Sequence, residues 1–132
     1  VICGFPREDY LLISEIAVDS KFQNRGFGKK LIKEFENTTQ QKNYKKINVG
    51  AQDKAINFYK SLNYKPFLLI QCKKIDYSLK DFKKIKIIRN NEDEEYKRLE
   101  VEIHKPNLKL LNSLRKQYPK ANFQYIFTKN LI

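Results

Sequence analysis

A glycine-containing segment between an apolar run and an amphipathic run most constrains how this chain can fold. Residues 11–18 are apolar and partly β-branched, which predicts a buried strand. Residues 29–36 carry apolar side chains at helical spacing among lysines and glutamates, which predicts an amphipathic helix. Gly26 and Gly28 lie between the two runs. The sequence therefore predicts a sharp turn at a helix start, where residues without Cβ and unpaired N–H groups favour a bound phosphate.

Two common phosphate-binding loops fit these residues less well. The dinucleotide fingerprint needs a third glycine where this chain has Leu31, and it needs an acidic residue about twenty positions later, where none stands. A P-loop ends in Gly-Lys-Ser or Gly-Lys-Thr, whereas Gly28 is followed by Lys29 and Lys30. Neither class of nucleotide-binding loop is therefore predicted.

Residues 23–28, QNRGFG, resemble the acetyl-CoA loop of the GNAT (Gcn5-related N-acetyltransferase) superfamily. That loop reads Arg/Gln-x-x-Gly-x-Gly/Ala after a strand, and Gln23, Gly26 and Gly28 match it. A second stretch, residues 55–64, resembles the Ala-x-x-Phe/Leu-Tyr-x-x-x-Gly-Phe block of the same family, with Asn-Tyr in place of its Gly-Phe. Asparagine is the commonest substitute for glycine in a left-handed helix cap, so the change is compatible with the block.

The resemblance implies an α/β fold with a mixed, mostly antiparallel sheet and flanking helices. In this family, two central parallel strands splay apart around acetyl-CoA. Residues 1–75 carry the resemblance and form the expected acetyl-CoA-binding core. Residues 76–132 are expected to extend the same sheet and domain as strand, strand, helix and strand. The predicted elements there are strands at 84–89, 96–103 and 123–127, an acidic turn at 90–95, and a helix over 108–118.

The family also has a strand, two helices and another strand ahead of the first hairpin, and the printed sequence lacks them. Because those helices help to shape the acceptor site elsewhere, the carboxyl-terminal extension is expected to supply what they provide. The sequence contains no methionine, so Val1 is not an initiator residue, and processing or a longer parent chain is expected.

Transfer of an acetyl group to an amine needs a positioned thioester, an oxyanion donor and proton transfer. The resemblance implies acetyl-CoA as co-substrate and direct attack by a primary amine. Tyr59 is expected to protonate the leaving thiolate, Glu15 to act as the general base, and a backbone N–H near Val18 to polarise the carbonyl. The expected coenzyme contacts are Ile16, Ala17, Val18, Gln23, Asn24, Arg25, Gly26, Phe27, Gly28, Lys29, Lys30, Gln52, Asp53 and Phe58.

Several of these residues also fit structural roles. Tyr59 fits a core tyrosine, since it shares a helix face with apolar residues. Glu15 fits an acid that is solvated or paired with a lysine, and a chain of waters is the alternative base. Lys29 and Lys30 fit solvated lysines on a helix surface. The lone His104 fits a surface or capping position better than a catalytic one.

The net charge of +12 arises from 27 basic and 15 acidic residues. A basic surface concentrates polyanions, which include the phosphates of coenzyme A but also nucleic acids. The alternative to an enzyme is therefore a catalytically lapsed GNAT-like scaffold that binds RNA or another polyanion. The basic stretches carry no recognisable nucleic-acid-binding motif, which favours the enzyme.

No apolar run approaches the roughly eighteen residues of a membrane span, and no signal-peptide pattern is present. A soluble, cytoplasmic protein without a membrane partner is therefore expected. Two cysteines and one histidine are too few for a metal cluster at their spacings, and both cysteines are expected to be free thiols. The sequence leaves open whether the protein forms a homodimer.

Overall fold

The computed structural model describes residues 2–7, 10–17, 20–77 and 86–131, with the backbone alone at Cys3, Phe5, Ser14 and Glu15. Within these residues it contains seven strands and three α-helices. In chain order they are β1 (Ile2–Pro6), β2 (Tyr10–Ile16), α1 (Phe27–Gln41), β3 (Lys46–Gly50), α2 (Ile56–Ser61), β4 (Lys65–Lys73), β5 (Ile87–Glu92), β6 (Tyr96–Glu102), α3 (Leu108–Gln117) and β7 (Asn122–Asn130).

The strands are hydrogen-bonded in the order β1-β2-β3-β7-β4-β6-β5. Strands β2 and β3 pair in parallel, whereas β1 with β2, β4 with β6, and β5 with β6 pair in antiparallel fashion. The predicted α/β fold with a mixed, mostly antiparallel sheet and a parallel pair is therefore confirmed. The three predicted helices are present, and Asn63 adopts the left-handed conformation expected of a helix cap, with φ of 66°.

The predicted acidic turn at 90–95 is wrong in its first half. Strand β5 continues to Glu92, which pairs with Lys97 of β6, and their side chains lie 3.3 Å apart. The turn begins at Asp93, whose carboxylate accepts hydrogen bonds from the backbone N–H groups of Tyr96 and Glu95. Those bonds lower the pKa of Asp93 to about 2. Residues 90–92, whose composition is typical of turns, thus pair with β6 as part of a strand. Residues 84 and 85 of the predicted strand lie outside the described residues.

The chain divides into two compact units, and the first comprises residues 1–50, 58–65 and 127–132. Its hairpin of β1 and β2 contains a bulge, because Gly4 pairs with Ile13 and Cys3 pairs with Glu15. The parallel pairing of β2 with β3 runs from Tyr10 to Ile13, and β2 continues to Ile16 beyond it. The bulge therefore lies where the pairing with β3 ends.

Helix α1 is held against this unit by both packing and charge. Ile32 of α1 is fully buried. Farther along the helix, the Glu36 carboxylate accepts hydrogen bonds of 2.9 and 3.1 Å from Lys129 Nζ of β7. The same ammonium donates to the carbonyl of Leu62, just after α2. A single lysine thus joins α1, the residues after α2 and the end of β7, and we call these three residues the Lys129 clamp.

The second unit comprises residues 51–57 and 66–126 and contains β4, β5, β6, α3 and the first part of β7. Leu99, Leu111 and Phe123 form its most deeply buried side chains. Helix α3 begins after Asn107, whose side chain accepts a hydrogen bond from Leu110 N, as a helix N-cap should. The boundary predicted at residues 75 and 76 stays a prediction.

Among the described residues, no helix has the length and apolar character needed to cross a membrane. Cys72 is a free, buried thiol, and the side chain of Cys3 lies outside the described part of the structure.

Replacing Gly4 with alanine should lower the free energy of unfolding by about 1 to 3 kcal/mol, the usual cost of overpacking. A Cβ at this position would lie 2.8 Å from Phe35 Cζ and 3.0 Å from the Leu12 carbonyl oxygen. Urea denaturation followed by circular dichroism measures the change. A Phe35→Leu substitution in the same chain should recover part of the loss, because it removes the nearer obstacle. If the unfolding free-energy changes of Gly4→Ala and Phe35→Leu simply added in the double variant, this result would contradict the contact.

Candidate functional site

The segment before α1 contains two left-handed backbone positions. A short 3₁₀ turn covers Ser20–Phe22, Asn24 has φ of 63°, and Gly26 has φ of 80° and is the N-cap of α1. A Cβ on Gly26 would meet no atom within 4 Å. Glycine is therefore favoured there by the backbone conformation, and the space beside it is open.

The N-terminus of α1 presents hydrogen-bond donors that the helix itself does not use. The first bond at this end runs from Lys30 N to Gly26 O, at 3.2 Å. The N–H groups of Phe27, Gly28 and Lys29 precede it and have no helical carbonyl to meet. No side chain caps this end, and no acidic residue lies in the first turn. These donors and the positive end of the helix dipole favour an anion.

A cavity of about 650 Å³ opens beside these donors, within the first unit. Apart from Phe22, every residue that lines it is among the predicted coenzyme contacts. The lining residues are Ile16, Ala17, Phe22, Gln23, Asn24, Gly26, Phe27, Gly28, Lys29 and Phe58. The structure thus brings together the end of β2, the glycine turn and α2, and binding by these residues stays a prediction.

Gly28 lets α2 approach the first turn of α1. A Cβ on Gly28 would lie 3.3 Å from Phe58 Cζ and 3.5 Å from Phe58 Cε2, which is tight for a methyl group. Glycine is therefore favoured at these two loop positions for different physical reasons. Gly26 meets a conformational need, whereas Gly28 leaves room for an aromatic ring.

Tyr59 lies in an aromatic cluster and does not line the cavity. Its side chain is only 4% exposed, and its ring centroid lies 5.8 Å from that of Phe127 and 6.0 Å from that of Tyr64. Phe58, which lines the cavity, is 5.2 Å away by the same measure. Burial raises the pKa of Tyr59. The core alternative is consistent with this packing, and the catalytic role stays a prediction.

Four other predicted contacts are not among the residues that line the cavity. The Asp53 carboxylate, in the second unit, accepts hydrogen bonds of 2.8 and 3.3 Å from the Arg115 guanidinium, and Gln52 is exposed in the same unit. Arg25 and Lys30 are exposed and do not line the cavity, and Lys30 Nζ lies 5.6 Å from the centroid of the Phe27 ring.

Of the predicted general base and oxyanion donor, the structure describes only the backbone of the base. Glu15 is part of β2, where it pairs with Cys3 of β1, and its side chain is not described. Val18 lies outside the described residues altogether. The general base and the oxyanion donor therefore stay predictions.

Two features of the first unit were not predicted from the sequence. Phe22 lines the cavity although it lies outside the matching loop, and only its position directly before Gln23 could have suggested it. Asn48 of β3 is 7% exposed, and its Oδ1 atom has no hydrogen-bond partner in the described part of the chain. Such an atom normally has a partner when it is buried, and Asn48 is not among the residues that line the cavity.

The described residues contain no group of three or more His, Cys, Asp or Glu side chains that could hold a metal ion.

Comparison with known structures identifies the fold. A Lactobacillus plantarum protein described as an N-acetyltransferase superimposes with a TM-score of 0.52 at 12% sequence identity, over 99% of this chain and 59% of that one. A GNAT acetyltransferase from Elizabethkingia anophelis with acetyl-CoA bound gives 0.49 at 22% identity, over 77% and 67% of the two chains. The first of these shows that the chain has a GNAT-like fold, and the chain spans 59% of that protein's length.

The sequence then assigns the family. Residues 1–66, half of the 132-residue chain, match the sequence model described as the acetyltransferase (GNAT) domain. The chain therefore belongs to the GNAT acetyltransferase family, as its two motifs predicted. A comparison with curated proteins gave no match.

Tyr59 and Tyr64 should make the stability of the protein depend on pH in the alkaline range. Burial raises both pKa values, and the Glu36 carboxylate and Tyr59 raise that of Tyr64 further. Their contribution to the free energy of unfolding should be constant below about pH 10 and should fall above it, because the unfolded chain then releases protons that the folded chain retains. Urea denaturation at several pH values measures the slope. If the unfolding free energy of a Tyr64→Phe variant fell with pH as steeply as that of the unaltered chain, Tyr64 would not contribute as expected.

Proposed function

We propose that the chain transfers an acetyl group from acetyl-CoA to a primary amine. The observation that carries this proposal is the cavity in which the N-terminus of α1 meets the end of β2. Membership of the GNAT family supports the choice of coenzyme, because the matching residues include the loop that lines this cavity. The acceptor is an amine of unassigned identity, and a cytoplasmic location and a homodimer remain predictions.

In this proposal, the coenzyme diphosphate binds to the N–H groups at the start of α1. Phe27, Gly28 and Lys29 supply those donors, and the helix dipole adds to the attraction. The pantetheine arm follows β2 past Ile13, where the pairing with β3 has ended. Ile16 and Ala17 line the cavity there, so the thioester would lie beside the end of this strand.

The chemistry proposed is a direct attack by the amine nitrogen on the thioester carbonyl carbon. A C–N bond forms, the C–S bond breaks, and the sulfur leaves as a thiolate. In this proposal the Tyr59 hydroxyl would give its proton to that thiolate. Glu15, or a water that it orients, would take the proton that the amine loses.

A Gly26→Glu variant should lose acetyl-CoA binding, because a carboxylate would occupy the open space beside the donors of α1 and repel phosphate. Isothermal titration calorimetry measures the affinity. A Gly26→Ala variant carries the same left-handed strain without the charge and should still bind the coenzyme. Ser113→Glu on α3 adds the same charge at an exposed position of the second unit and should bind as the parent does.

Failure of the unaltered chain to bind acetyl-CoA would overturn this proposal and favour the polyanion-binding scaffold. That scaffold would show a steep loss of RNA binding with added salt. Equal loss of coenzyme binding in Gly26→Ala and Gly26→Glu would instead mean that backbone strain, not the position of the phosphate, explains the result.

A Tyr59→Phe variant should retain coenzyme affinity and lose activity by about 10²- to 10⁴-fold in kcat, the usual effect of removing a general acid. The assay follows thiol release with an amine found by screening the unaltered protein. Tyr64→Phe is the matched control, since it removes a hydroxyl from the same aromatic cluster. Comparable kcat values in the two variants would contradict the role of Tyr59 as an acid.

A further inference from the structure

Phe22 and Phe27 form an exposed aromatic pair at the cavity. Their side chains are 47% and 39% exposed, although large aromatic rings are usually buried in a core. The ring centroids lie 5.7 Å apart, and the ring planes are nearly perpendicular at 80°. Both residues line the cavity that contains the donors of α1. The two rings therefore make a corner, in which a planar group could lie against one ring with its edge toward the other.

The charges around this pair favour an anionic ligand. Residues 20–33 contain no aspartate or glutamate. Their basic residues are Lys21, Arg25, Lys29, Lys30 and Lys33. Lys30 Nζ already lies 5.6 Å from the Phe27 centroid, which places a cation beside the pair. A flat aromatic group that carries phosphates matches these surroundings best, since rings stack on it and lysines attract its charge.

We propose that Phe22 and Phe27 bind the adenine ring of coenzyme A and make the chain selective for the nucleotide-bearing form of the thioester. This inference rests on the proposed function. The diphosphate joins the pantetheine arm to the adenosine, so a diphosphate at the start of α1 leaves the adenosine within reach of residues beside that helix end. Phe27 is the first residue of α1, and Phe22 contacts it.

The consequence is a choice between two natural forms of activated acyl group. Acyl groups are carried either on coenzyme A or on a phosphopantetheine arm that lacks the adenosine. Without the aromatic pair, the donors of α1 and the end of β2 would bind the shared part of both carriers. With it, the free coenzyme gains a stacking contact that the shorter arm cannot make. Phe22 and Phe27 would thus determine specificity, without taking part in the chemistry.

The experiment compares the affinities of coenzyme A and 4′-phosphopantetheine for the unaltered chain and for Phe22→Ala, by isothermal titration calorimetry. The substitution should weaken coenzyme A binding by about 5- to 150-fold, the range found for removal of a base-stacking ring. The affinity for 4′-phosphopantetheine should change less than about twofold, since it has no base to stack. Phe22→Trp should retain the affinity for coenzyme A, and Leu110→Ala, an exposed apolar residue on α3, should match the unaltered chain.

Each other result overturns the inference in a distinguishable way. Equal weakening of both ligands would mean that Phe22 supports the loop and does not contact adenine. No weakening of either would mean that the base lies elsewhere. Weakened binding of a single-stranded oligoadenylate, with coenzyme A unaffected, would assign the pair to nucleic acid. A chain that binds neither ligand before substitution would overturn the proposed function together with this inference.

Discussion

The left-handed backbone at Gly26 is the constraint on which the candidate site depends. Because φ is positive there, the chain turns sharply and α1 begins at the next residue with its N–H groups directed away from the helix. A residue with a side chain would pay about 1 to 2 kcal/mol for this conformation. A Cβ on Gly26 would meet no atom within 4 Å, so the backbone conformation, and not a lack of space, favours glycine there. The turn positions donors, and the cavity beside them follows from it.

The start of α1 is useful only if the whole helix is held in place, and two contacts do this. Near its N-terminus, the Phe58 ring packs against Gly28. Farther along, the Lys129 clamp joins Glu36 to the carbonyl of Leu62, so that α1 and the residues after α2 share one ammonium. Glu36 is only 12% exposed in its side chain, and loss of its partner would leave a carboxylate poorly solvated. The clamp therefore stabilises the relation between the two segments that carry the family motifs.

Local sequence patterns predicted the strands, the helices and the glycine turn. Each of these elements is determined mainly by residues that lie close together in the sequence. The same patterns found Gly26, Gly28 and Phe58, which belong to motifs of fixed spacing. They did not predict that Asp53 would be engaged by Arg115, 62 residues later, because no spacing rule connects the two. They did not predict Phe22 either, since an exposed phenylalanine has the same local signature as a buried one. The end of β5 was misplaced because residues 90–92 have the composition of a turn, although they pair with residues 97–99 of β6.

The Lys129 clamp also determines how early in synthesis the contacts around α1 can be completed. Glu36 and Lys129 are separated by 93 positions, so their contact closes a loop that includes most of the chain. During translation, α1 and its glycine turn leave the ribosome long before β7 exists. Helix α1 cannot be clamped until Lys129 has been synthesised. The nascent chain thus carries the signature loop of its family well before the clamp can support that loop.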